Sequence, residues 1–191
     1  MKLGLGQILV EGGQRKANLD RAEVAIRKLA VQGAHLILLP EALNLGWTHP
    51  SCHTEAEPIP DGVSCQHLCR LADELGVHVV AGLVEWMGGR TYNAAVLINN
   101  SGEILLRHRK INELAIAHDC YARGDSLNVI DTSLGRLGIM ICADGFAADL
   151  AISRALAQMG AEMILSPCAW AVPPGFDQAA TPYGQIWLNS Y

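Results

Sequence analysis

The sequence predicts an α/β fold of two mixed sheets packed face to face, with helices outside. Three observations predict it. Segments of helical and strand-like apolar periodicity alternate along the chain. A block of strands over residues 77–109 then interrupts the alternation, with hairpin signals at Gly88-Gly89 and Asn100-Ser101-Gly102. Plain doubly wound topology accounts poorly for that block. Finally, Gly33-Ala34-His35-Leu36-Ile37-Leu38-Leu39-Pro40 resembles Gly160-Ala161-Glu162-Met163-Ile164-Leu165-Ser166-Pro167, each behind an amphipathic helix. Helix–Gly–strand–Pro is common punctuation; read as an internal duplication, it gives two helix–strand halves and so two sheets.

The elements follow in order. Residues 3–10 read as a first strand. Ala22, Ala25, Ile26, Leu29 and Ala30 recur at helical spacing, and Gly33 stops that helix. Residues 35–39 are a continuous apolar run closed by Pro40, the pattern of a strand buried on both faces. A loop rich in Pro, His and Thr covers residues 44–62. Leu68, Leu71, Ala72 and Leu75 define a second helix, ended by Gly76. Strands are expected at 77–85, 91–99 and 103–109, then a long loop of the kind that usually carries function, then a strand at 127–130. Residues 136–142 form another apolar strand. Leu150, Ile152, Ala155, Leu156 and Met159 give a third helix stopped by Gly160, and residues 163–165 a last strand closed by Pro167.

Composition narrows the function. The chain has 191 residues, half of them apolar and 17% charged, which supports one domain with a real core and excludes disorder. A net charge of −5 without a Lys/Arg block leaves no electrostatic footprint for nucleic acid. No apolar run approaches the roughly 18–20 residues that span a bilayer. The first residues are too few, and too polar at Gln7 and Glu11, for a signal peptide, so a cytoplasmic location is expected. Without a secretory signal, Cys52, Cys65, Cys69, Cys120, Cys142 and Cys168 are expected as thiols rather than disulfides. Cys65 and Cys69 share a helix as a ligand pair could, but no second Cys/His pair follows at zinc spacing, and no metal is expected.

Sites in open α/β sheets gather at the carboxyl ends of strands. Glu41 follows the buried run and Pro40; it is either an exposed loop acid or a carboxylate with a task. Lys110 ends the strand at 103–109; beside Arg107, His108 and Arg109 it also fits a solvated basic edge. Cys142 closes an apolar strand just before a helix, where backbone N–H groups can lower a thiol pKa and offer oxyanion donors; a buried core Cys is the plainer alternative. Ser166 and Cys168 flank Pro167 at the pocket rim or merely pack there. Together, an acid, a cation and a thiol at three strand ends form a complete set for acyl transfer through a covalent intermediate.

Leu38-Leu39-Pro40-Glu41, Arg109-Lys110 and Gly138-Ile139-Met140-Ile141-Cys142-Ala143-Asp144 resemble the three signature segments of the nitrilase, or carbon–nitrogen hydrolase, superfamily. Tyr92-Asn93-Ala94-Ala95, Gly102-Glu103-Ile104 and the segment from Gly160 to Pro167 resemble its framework, in the same order along the chain. The resemblance implies a four-layer α-β-β-α sandwich, no metal or organic cofactor, and a small-molecule amide or nitrile substrate. It implies Cys142 as nucleophile, Glu41 as general base and Lys110 as the cation that stabilises the tetrahedral species. Ala143-Asp144 resembles the amide-hydrolysing branches more than true nitrilases, which favours an amide or N-carbamoyl compound and brings Asp144 toward the substrate. Trp47, in the loop at residues 47–60, either shapes the pocket or belongs to a surface excursion. Loss of the amine at Lys110→Ala is expected to leave folding intact.

Two departures stand out. Many family members carry a second glutamate after the lysine; here alignment back from Arg123-Gly124-Asp125 puts His118 or Asp119 near its place and Glu113 lies closer to Lys110 than the family spacing, with Glu113 named first and Asp119 second. Family members also continue past a segment like that at residues 187–191 with further strands and a tail used in dimer contacts. The expectation is therefore one carbon–nitrogen hydrolase domain over residues 1–191 whose C-terminal part is missing, of low stability alone, in a homo-oligomer. Competing readings are a silent family member acting as a binding or scaffold subunit and a Cys-dependent acyltransferase. A metal-dependent phosphoesterase lacks its set of Asp, Asn and His at strand ends.

Overall fold

A computed structural model describes residues 1–170, 172, 175–177 and 179–182; residues 187–191, singled out above, lie outside the described residues. The elements are β1 (Leu3–Leu5), α1 (Arg15–Val31), β2 (Leu36–Leu38), α2 (Cys52–Glu55), α3 (Val63–Leu75), β3 (His78–Met87), β4 (Arg90–Ile98), β5 (Ile104–Arg109), β6 (Val129–Thr132), β7 (Gly135–Ile139), α4 (Ala151–Gln158) and β8 (Met163–Leu165).

They form two mixed sheets. The larger runs β1-β2-β3-β4-β5, parallel from β1 to β3 and antiparallel from β3 to β5. The smaller runs β6-β7-β8, antiparallel then parallel. The two-residue period of a strand decides what lies between the layers. Val79, Ala81, Val96 and Ile98 face Ile26, Leu68 and Leu71 of α1 and α3, outside the larger sheet. Their alternates Val80, Ala95 and Leu97 turn inward and pack with Leu137, Ile139 and Leu165 of the smaller sheet. On the far side, Gly138 of β7 leaves room for Leu156 of α4. Helices, sheet, sheet and helix therefore stack as the expected α-β-β-α sandwich.

The resemblance between the two halves has a structural counterpart. Gly33 and Gly160 both take positive φ, at 82° and 90°, as each helix turns into a parallel strand. Two expectations need correction. The first strand is shorter than residues 3–10, because the chain leaves the sheet after one last bond from Gly6 N–H to the Leu38 carbonyl. The strand at 136–142 stops at Ile139, and Cys142 opens a 3-10 turn with φ of 42°, a conformation that costs a non-glycine residue about 1–3 kcal/mol.

Candidate active site

Glu41 stands one residue past Pro40, after β2, and is 1% exposed. Its backbone approaches β3 so closely that only a glycine fits opposite: a Cβ at Gly82 would lie 2.5 Å from the Glu41 Cα. Leu43 N–H and the Gly82 carbonyl (2.9 Å), with Gly82 N–H and the Pro40 carbonyl (3.0 Å), hold the turn there. The carboxylate is fully engaged. Its Oε1 accepts from Lys110 Nζ (2.6 Å) and Asn93 Nδ2 (2.7 Å), and its Oε2 accepts from Ala169 N–H (2.9 Å).

Lys110 follows β5, and strand alternation explains why it reaches the interior among four consecutive basic residues. Arg107 and Arg109 point one way, to the buried Glu85 carboxylate at 2.9 and 2.7 Å. His108 and Lys110 point the other way and are 3% and 1% exposed. The solvated basic edge is thus excluded. Burial opposes the Lys110 charge, but Glu41 and Glu113, with the hydrogen bond to Glu41, outweigh it and hold the lysine pKa above its ordinary value. Its ammonium also lies 5.7 Å from the centroid of the Trp47 ring.

Cys142 is buried within electrostatic reach of both Glu41 and Lys110. Its N–H donates to the Pro167 carbonyl and to Ser166 Oγ, both at 3.1 Å. The expected lowering of its pKa is not what the structure gives. A hydrogen bond with Cys168, burial and the charge on Glu41 push the thiol up, and Lys110 opposes them only in part. Cys142 therefore rests as a thiol and needs a base to react.

Glu113 comes to this cluster and Asp119 does not. Glu113 Oε2 lies 3.8 Å from Lys110 Nζ, with a fully buried side chain. Burial, aided by the charges on Glu41 and Asp144 and opposed by Lys110, raises its pKa to about 8. Asp119 is exposed on a separate groove with His53 and Tyr121. The 3-10 turn at Ala115–Ala117 between them reverses the loop and sends the later acid outward.

Asp144 is fully buried, and both oxygens of its carboxylate are engaged within the protein. Oδ1 accepts from Ile111 N–H (3.0 Å) and Asn112 N–H (2.8 Å); Oδ2 accepts from Ile141 N–H (2.9 Å) and His108 Nε2 (2.8 Å). Burial favours its neutral form, yet His108 and the backbone donors prevail and keep its pKa below the usual carboxylate range. Asp144 ties the loop after Lys110 to the turn that carries Cys142.

A cavity of about 720 Å³ opens beside the cluster, lined by Glu41, Trp47, Ser166 and Cys168 and by apolar groups including Ile8, Val10, Leu39 and Trp170. Trp47 Nε1 and both Glu113 oxygens are buried without a hydrogen-bond partner among the described residues. Sequence reasoning missed Asn93 and His108. A buried-strand pattern broken by one Asn, in Tyr92-Asn93-Ala94-Ala95, was the available signal for the first.

A family model described as carbon–nitrogen hydrolase matches residues 3–185, and the chain belongs to that family. It is 33% identical to a nitrilase of Pyrococcus abyssi, over 82% of this chain and 60% of that one. It is 32% identical to an omega-amidase of Xenopus laevis, over 91% of this chain and 65% of its relative. The chain thus spans only 60–65% of the length of these curated relatives. Among solved structures, an amidase from Nesterenkonia sp. AN1, with acrylamide added at its active-site cysteine, superposes with a TM-score of 0.82 at 24% identity, over 91% of this chain and 69% of that one. A branch 10 member of the nitrilase superfamily from Saccharomyces cerevisiae gives 0.80 at 26%, over 90% and 65%. The first of these shares the fold; its chemistry is its own.

Proposed function

We propose that this site hydrolyses the carbon–nitrogen bond of a small amide or N-carbamoyl compound through a thioester on Cys142. The observation that carries the reading is the buried contact of Glu41 and Lys110 at 2.6 Å, with the Cys142 thiol buried beside it. Glu41 takes the thiol proton as Cys142 Sγ bonds to the carbonyl carbon. Lys110 Nζ faces the oxyanion that forms. As the tetrahedral species collapses, the carbon–nitrogen bond breaks and the proton on Glu41 passes to the departing ammonia or amine. Glu41 then draws a proton from water, which attacks the thioester and releases the acid and the thiol. Trp47 Nε1 and the Glu113 carboxyl are buried polar groups that a bound amide would satisfy. Glu113 thus serves as the second carboxylate, and Ser166 holds the Cys142 backbone.

The omega-amidase among the relatives favours an amide, and the nitrilase among them makes a nitrile the second substrate class to try. Exposed Leu5 and Leu9, at 65% and 64%, suit association with further copies in the cytosol. Intact-mass trapping across a panel of amides and nitriles tests the chemistry. An acyl adduct mapped to Cys142, with ammonia release abolished by Cys142→Ala, is the expected result. Native-rate release by that variant refutes the assignment.

A further inference from the structure

We propose that Cys52, His53 and Cys120 bind a soft divalent cation of the zinc type, which fastens the loop that carries Trp47 to the loop that carries Glu113. Cys52 and His53 open α2, in the loop that follows Glu41 and Trp47. Cys120 lies in the loop that follows Lys110 and Glu113. One ligand atom from each of the three residues lies within 4.8 Å of the other two, and among the described residues no other group of three does this. Metal–sulfur and metal–nitrogen bonds of about 2.3 and 2.0–2.1 Å need ligands only modestly closer than that limit.

The surroundings suit a cation. Cys52 is buried, Cys120 half-buried and His53 exposed, so the site has a closed floor and an open mouth. The mouth is a groove also lined by His118 and Asp119, where water can fill a fourth position. Each thiol releases its proton to solvent as its sulfur bonds to the metal, and two thiolates then balance a divalent charge. The loops are held near each other beforehand. Thr48 N–H donates to Tyr121 Oη at 3.1 Å, and Ala42, Leu45, Cys52, Ala117 and Tyr121 pack together. Little ordering remains for the cation to impose. Its effect would fall on Trp47 and Glu113, one on each loop.

The test uses the full 191-residue chain, reduced and stripped with a chelator, titrated with cobalt(II) and then zinc(II). The expected result is one equivalent of cobalt with thiolate-to-metal charge-transfer absorption, displaced by zinc, and a raised melting temperature. Cys120→Ser and His53→Ala should each weaken binding by more than the roughly 10–100-fold that loss of an outer partner costs. His53 is exposed, so its variant folds whatever befalls Cys120→Ser. Cys65→Ser and Cys142→Ala should bind as the parent does. Failure to take up one equivalent overturns the proposal, as does uptake that survives both ligand variants. Uptake lost with Cys142→Ala instead places the cation on the catalytic thiol and overturns it equally.

Discussion

Glu41 takes hydrogen bonds from Lys110, Asn93 and Ala169, and Lys110 alone among those donors carries a full charge. That contact revises the expectation that Lys110→Ala would leave folding intact. Deleting the amine strands a carboxylate that is 1% exposed, and breaking a buried pair costs about 3–5 kcal/mol. Lys110→Met should therefore lose stability of that order, read by urea unfolding, besides about 10²–10³ in turnover. An unchanged unfolding midpoint would contradict the pairing. Glu113 gives the residue scale its pH signature. Its folded pKa, about 8, lies above the ordinary carboxylate value. The folded state then keeps a proton that the unfolded chain gives up, and stability falls as pH rises from about 4.3 toward 8. Glu113→Gln should flatten that decline, so thermal melts of parent and variant should diverge across this interval. Parallel curves would show that Glu113 ionises as an exposed acid does.

At the scale of elements, the site is a meeting of strand ends. Glu41 N–H donates to the Cys168 carbonyl at 3.3 Å, and Cys142 N–H to the Pro167 carbonyl, so the turns after β2, β7 and β8 brace one another. Asp144 adds the loop after β5 to this knot. Asp144→Ala should destabilise the fold by about 3–5 kcal/mol and lower kcat far more than it raises KM, because it displaces a turn and touches no ligand. A pure KM effect would restore it to the substrate. Gly82→Ala forces a methyl against the Glu41 backbone; it should cost about 1–3 kcal/mol and most of the activity, measured by calorimetry and ammonia release. The legible parts at this scale were the strand ends themselves, each marked by an apolar run and a Pro or a Cys. The closing bonds were not legible, since Ala169 and Asn93 meet Glu41 from positions far along the chain.

For the whole molecule, the inner faces of the two sheets share one core, with Leu36, Val80 and Leu97 against Leu137, Ile139 and Leu165. The smaller sheet has three strands among the described residues and packs its inner face against the larger one. The sheets should therefore unfold together. Leu137→Ala should cost about 2–5 kcal/mol and lower one common transition seen by far- and near-ultraviolet circular dichroism. Two separated transitions would mean that the halves hold independently.

Local pattern alone was enough to place the helices and the β3–β5 hairpins and to set Glu41, Lys110 and Cys142 at strand ends, while their roles came from the family resemblance, because periodicity and strand ends are properties of neighbours in sequence. Pattern could not choose between Glu113 and Asp119, show Asp144 spent on backbone donors, raise the Cys142 thiol or bring Cys52 to Cys120. Those outcomes depend on burial and on charges contributed by distant segments, and such quantities exist only once the two sheets have closed on each other.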